Sequence, residues 1–123
     1  MERYIYCNPN PKRKAVGDCV VRALSIALNK PWEEIYMDIC AQGFIMADMP
    51  SANHVWGKYL RDKGFERRTA EPDITVAEFC EIHGKGTYIL GLDSHVVAAV
   101  DRNYFDAWDS GDETVVYYWT LSE

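Results

Sequence analysis

The stretch Thr87-Tyr88-Ile89-Leu90-Gly91-Leu92, Asp93-Ser94, His95-Val96-Val97-Ala98-Ala99-Val100, Asp101-Arg102-Asn103-Tyr104 decides the fold class. Its two runs are β-branched, aromatic and apolar, and Asp, Ser and Asn separate them, which is the pattern of strands joined by tight turns. Tyr104 to Trp108 and Thr114 to Leu121 continue the pattern. The segment 101–104 suits a hairpin whose two central residues are Arg102 and Asn103. That turn pairs Asp101 with Tyr104 and brings Val96 opposite Asp109.

Upstream of this stretch the period is helical. Asp18 is a good N-cap residue, and Val20, Val21, Leu24, Ala27 and Leu28 form an apolar stripe that ends at Pro31. Pro31 opens a second helix, with Glu33 and Glu34 at the positive end of its dipole. Its inner face is Trp32, Ile35, Tyr36, Ile39 and Cys40, and Gly43 is its expected stop. Phe44 to Ser51 reads as a loop. A third helix runs from Ala52 to Lys63, with Val55, Trp56, Tyr59 and Leu60 inward and Gly64 at its end. Phe65 to Thr69 fits a short strand. Thr75-x-x-Glu78 is a capping box that opens a fourth helix through His83. Tyr4 to Val16, with Asn8-Pro9-Asn10-Pro11, reads as an irregular arm. The expectation is one α+β domain over residues 1–123, with N-terminal helices packed on a C-terminal antiparallel sheet.

Composition narrows the function classes. The chain of 123 residues has 48% hydrophobic and 26% charged residues, ordinary values for a folded domain. A net charge of -6 argues against a nucleic-acid surface, and Lys12-Arg13-Lys14 is a short solvated run. No apolar stretch approaches the ~20 residues of a membrane span, and residues 1–4 do not lead into a signal segment. The expected location is cytoplasmic, with neither a membrane nor a nucleic acid as partner. Cys7, Cys19, Cys40 and Cys80 contain no Cys-x-x-Cys pair, so a structural zinc site is not expected. Cys40 and Cys80 fall on apolar helix faces and read as small core residues.

Cys19 is different, because it follows the N-cap and lies in the first helical turn. A helix N-terminus and a nearby imidazolium would stabilise its thiolate. His95 opens an apolar strand, and the hairpin register makes Asp109 its neighbour and the expected orienter of its ring. Asp106 is the alternative orienter. His54 and His83 lie on helices and have no such partner, so surface roles are expected. A cysteine opening a helix, a histidine opening a strand and a carboxylate beyond it read as nucleophile, base and orienter of a cysteine-dependent hydrolase.

These residues resemble the papain-like cysteine peptidases. Gly17-Asp18-Cys19 before an apolar helix is similar to that family's nucleophile helix. His95 to Val100, then Asn103-Tyr104 and Asp109-Ser110, is similar to its histidine strand and the following strand that carries Asn or Asp. The small size and the Asp-Cys pair look more like compact bacterial members, such as the peptidases that trim double-glycine leader peptides. The resemblance implies a cleft between helices and sheet, a peptide or protein substrate, and a Cys19-His95-Asp109 triad needing no metal or organic cofactor. Amidase and transglutaminase chemistry would use the same site. The family's oxyanion-donating Gln has no counterpart, since Arg13 stands six residues before Cys19, so Asn8 or Asn10 is the expected side-chain donor beside the Cys19 N–H. The family's shielding Trp follows its Asn, whereas Trp108 precedes Asp109. A non-catalytic binding domain of the same fold would instead present Phe44, Ile45, Met46 and Met49 to a partner.

Overall fold

The computed structural model of the chain describes residues 3–121. In chain order the elements are β1 (Tyr4–Tyr6), α1 (Cys19–Leu28), α2 (Trp32–Met46), α3 (Asn53–Asp62) and β2 (Phe65–Thr69). They continue with α4 (Val76–His83), β3 (Thr87–Leu92), β4 (His95–Val100), β5 (Asn103–Asp106) and β6 (Tyr117–Leu121). The class is α+β, as the change of period indicates. None of the described helices is long and apolar enough to cross a membrane.

The six strands form one open sheet in the order β1-β5-β4-β3-β6-β2. It is mixed, not purely antiparallel, because β1 runs parallel to β5. The arm thus begins as a strand. Tyr4 to Tyr6 precede the prolines that block regular structure, and they cover the edge that β5 would otherwise leave unpaired. The Tyr104 N–H donates to the Arg3 carbonyl and the Cys7 N–H to the Asp106 carbonyl, both at 2.9 Å.

Strand side chains alternate between faces. Ile89, Val96, Ala98 and Trp119 join α1 to α3 in one core, with Leu24, Ile35, Trp56 and Leu60 among its buried members. Leu90, Val97, Ala99 and Tyr118 form a second core with Val76, Phe79 and Cys80 of α4. Strands β3 and β4 are therefore covered on both faces, which is why residues 96–100 are apolar without alternation.

Two glycines have uses that only the folded chain shows. Helix α2 runs through Gly43 to Met46, so Phe44, Ile45 and Met46 are helical and not part of a loop. A Cβ on Gly43 would sit 2.8 Å from the Asp48 carbonyl oxygen, so this glycine marks the crossing of the returning chain. At Gly91 the ring of Tyr117 occupies the place of a side chain, with its Cζ 2.1 Å from where a Cβ would be. Gly91→Ala is expected to force that ring out and to cost about 1–3 kcal/mol, the usual range for overpacking. Urea unfolding of the two proteins measures it.

The β4–β5 turn is centred one residue earlier than the sequence suggests. Val100 pairs with Asn103, and Ala98 with Phe105. The central residues are Asp101 and Arg102, both at positive φ (48° and 76°), as a type I′ turn requires. Contacts outside the turn hold it there. The Asp101 N–H donates to the Gly86 carbonyl at 2.9 Å, and the Gly86 N–H donates to the Asp101 carboxylate at 3.1 Å.

Candidate active site

Helix α1 begins at Cys19, and Asp18 occupies the N-cap position. The Asp18 carboxylate does not cap the helix. It accepts from the guanidinium of Arg22, one turn on, and from the Trp32 indole N–H at 2.9 Å. This ties the start of α1 to the start of α2. The Cys19 N–H is one of the first-turn amides that have no intrahelical acceptor.

His95 opens β4 directly after Asp93-Ser94, where Ser94 has a φ of 62°. Its Nε2 lies 2.7 Å from Oδ2 of Asp106. Asp106 is held from several sides. Its Oδ2 also accepts from the Ser110 hydroxyl at 2.7 Å. Its Oδ1 accepts from the Ala107 N–H at 2.8 Å and from Arg22 Nη2 at 3.3 Å. The carboxylate is 2% exposed. With Nε2 engaged by Asp106, Nδ1 is the ring atom left for the thiol of Cys19, which is near enough for each group to shift the other's titration.

The electrostatics follow from this chain of groups. Burial pushes the Cys19 thiol up, but the hydrogen bonds to His95 and the Val96 backbone, with the charges of His95 and Arg22, bring it below the ordinary value. Burial alone would depress His95; the bonds to Asp106 and Cys19 and both negative charges raise it to about 9. Burial likewise raises Asp106, and its bonds to His95, Ser110 and Ala107 and the His95 charge turn the shift downward. All three shifts favour the charged form of the group concerned. Two further thiols shift the opposite way: burial raises Cys7 and takes Cys80 to about 11.

Asp109, the expected orienter, does not contact His95. Its Oδ1 accepts from the Tyr104 hydroxyl at 2.5 Å and from the Gly111 N–H at 3.0 Å. The position of the turn is the physical reason. The register through Ala98–Phe105 carries Asp106 opposite Val97, two residues from His95 on the same side of the strand. A turn one residue later moves the pairing by two positions and keeps the parity, which is how Asp109 came to be the expected neighbour.

The two asparagines separate. Asn8 lines the cleft with Cys19 and His95, and its amide donates to the Lys14 carbonyl at 3.2 Å, leaving its second N–H for a ligand. Asn10 is buried and builds the arm instead: its Oδ1 accepts from the Lys12 N–H at 2.9 Å and its carbonyl from the Arg13 N–H at 2.9 Å. Trp108 is 47% exposed and lies over the His95 ring with 4.9 Å between centroids. It shields the imidazole and is not core.

Arg22 and Ser110 belong to the site without having been expected there. The Asp18–Arg22 spacing of four was the legible signal for the first; nothing local marks Ser110. Contrary to expectation, both other histidines have a carboxylate partner, Glu71 for His83 and Asp48 for His54, and His83 stacks on Phe79 at 3.8 Å; neither joins Cys19. Among the described residues no three His, Cys, Asp or Glu side chains are grouped to hold a metal ion.

The cleft holding Cys19 and His95 has a volume of about 580 Å³. No protein-family model matches the chain, and no curated protein or solved structure shows a significant match to it.

Proposed function

We propose that the protein is a cysteine-dependent hydrolase of amide bonds, a peptidase or isopeptidase of papain-like type acting in the reducing cytoplasm. The observation that carries this is the His95–Asp106 contact of 2.7 Å, on an imidazole that shares a cleft with a cysteine at a helix N-terminus. With Asp106 as orienter, Trp108 follows the acid in the chain, the order of the family it resembles.

The chemistry balances with these groups alone. The Cys19 thiolate attacks the carbonyl carbon, a C–S bond forms, and the carbonyl electron pair moves to oxygen, where the Cys19 N–H and Asn8 amide are the donors. The C–N bond then breaks as the His95 imidazolium gives its proton to the leaving nitrogen. Neutral His95 next removes a proton from water, the hydroxide attacks the thioester, and the C–S bond breaks. Thiolate and imidazolium are restored and the product is an acid. If an amine replaces the water, the same steps give transamidation.

Iodoacetamide at about pH 6, well below the free-thiol pKa of about 8.5, is expected to label Cys19 before Cys7, Cys40 or Cys80; peptide mapping reads the order. Preferential labelling of another cysteine would overturn the reading. Turnover is expected to fall as pH rises through about 9, because deprotonated His95 can no longer protonate the leaving group.

The second reading, a binding domain of the same fold, is supported by the end of α2. Phe44 is 87% exposed and Ile45 76%, with Met49 nearby in sequence also exposed. An unreactive Cys19 would favour it.

A further inference from the structure

We propose that the substrate carries an acidic side chain beside the scissile bond, held by Arg61 and Arg67 in a hollow that adjoins the thiol site. The inference rests on the hydrolase reading and extends it to substrate class.

The hollow has a volume of about 260 Å³ and is walled by Trp56, Tyr117 and Trp119. Asn53 and Tyr117 line both this hollow and the recess that contains Cys19 and His95, so the two spaces share a wall. Arg61 comes from α3, with its guanidinium 5.1 Å from the centre of the Trp119 ring. Arg67 comes from β2, 4.1 Å from the centre of the Tyr117 ring. Among the described residues neither makes an ion pair, whereas Arg22 and Arg68 both do. Each guanidinium lies within cation–π range of its ring, and both arginines are exposed, so their N–H groups can meet an acceptor.

His54 on the rim is already paired with Asp48. Two free guanidinium groups in a chain of net charge -6 would bind a carboxylate locally, against the repulsion of the whole molecule.

The test uses chloroacetyl-capped tripeptide amides that alkylate Cys19, with Glu or Gln placed at each position in turn. Labelling rates come from mass spectrometry of the full chain. At low salt, Glu at one position is expected to label about five- to tenfold faster than Gln, the size of one charge-assisted contact. The preference should shrink as salt screens the pair and vanish in Arg61→Gln/Arg67→Gln. Iodoacetamide, which reaches no further than the thiol, should label that variant at the wild-type rate. Equal Glu and Gln rates in the wild type, or a Glu preference retained in the double variant, would overturn the proposal. Failure of iodoacetamide to single out Cys19 would overturn the hydrolase reading itself. Selective labelling of Cys19 without a Glu preference would remove only the acidic subsite.

Discussion

Asp106→Ala is expected to slow alkylation of Cys19 at about pH 6 by about tenfold or more, as a thiol that loses its imidazolium partner returns towards its free pKa. Asp109→Ala is expected to leave the rate within about twofold, since Asp109 bonds Tyr104 and Gly111 and not the histidine. The difference arises because Asp106 is the first cause raising His95 against its burial. Without the carboxylate the ring is held at the desolvated, neutral end of its range and cannot stabilise the thiolate. Asp106→Asn should be milder than alanine, because an amide oxygen can still accept from Nε2. Labelling of Cys80, which lies 2% exposed in the α4 core, reports unfolding: if it rises with the loss of Cys19 reactivity, the fold and not the pair has failed. A slower rate in Asp109→Ala with no change in Asp106→Ala would reverse the assignment.

Arg22→Leu is expected to destabilise the protein by about 3 kcal/mol or more, the cost of leaving buried charges without their partner. Arg22 lies 7% exposed between Asp18 and Asp106, so both carboxylates lose their cation at once. For a domain of this size the loss corresponds to a fall in Tm of roughly 10 °C. Thermal unfolding at neutral pH measures it, and a change of under about 1 kcal/mol would show the pair to be solvated and weak. The pH dependence has a definite sign for Asp106. Its folded pKa lies below the ordinary 3.8, so its contribution is present above that value and is lost as pH falls through the folded value. Acid unfolding of the wild type should therefore carry a term that Asp106→Asn lacks.

Much of the fold follows from local chemistry. The segments 65–69, 87–92 and 95–100 became strands with the expected limits, the last two because β-branched, aromatic and apolar side chains and their turns act at short range. The Thr75–Glu78 capping box formed with both reciprocal bonds. Cys19 at a helix start and His95 at a strand start were legible for the same reason. Gly43 does not end α2, because its use is a contact with Asp48 and Pro50, and a glycine that ends a helix looks identical in sequence to one that another segment crosses. The arm was misread because the partner of Tyr4 to Tyr6 lies about a hundred residues away.

The sequence by itself determined the α+β class, the positions of Cys19 at a helix start and His95 at a strand start, and two aspartates that could approach the histidine. Only the tertiary structure decided between those aspartates. Residues 101–104 offer two turn centres with similar local chemistry, and the clasp between Asp101 and Gly86 selects the earlier one. That choice shifts every pair on β5 by two positions. It also gathers Arg22 and Ser110 around Asp106, from a helix and a loop whose meeting no local pattern encodes. Asp106 meets His95 through the groups that desolvate and bind it, and those groups converge only when the chain is folded.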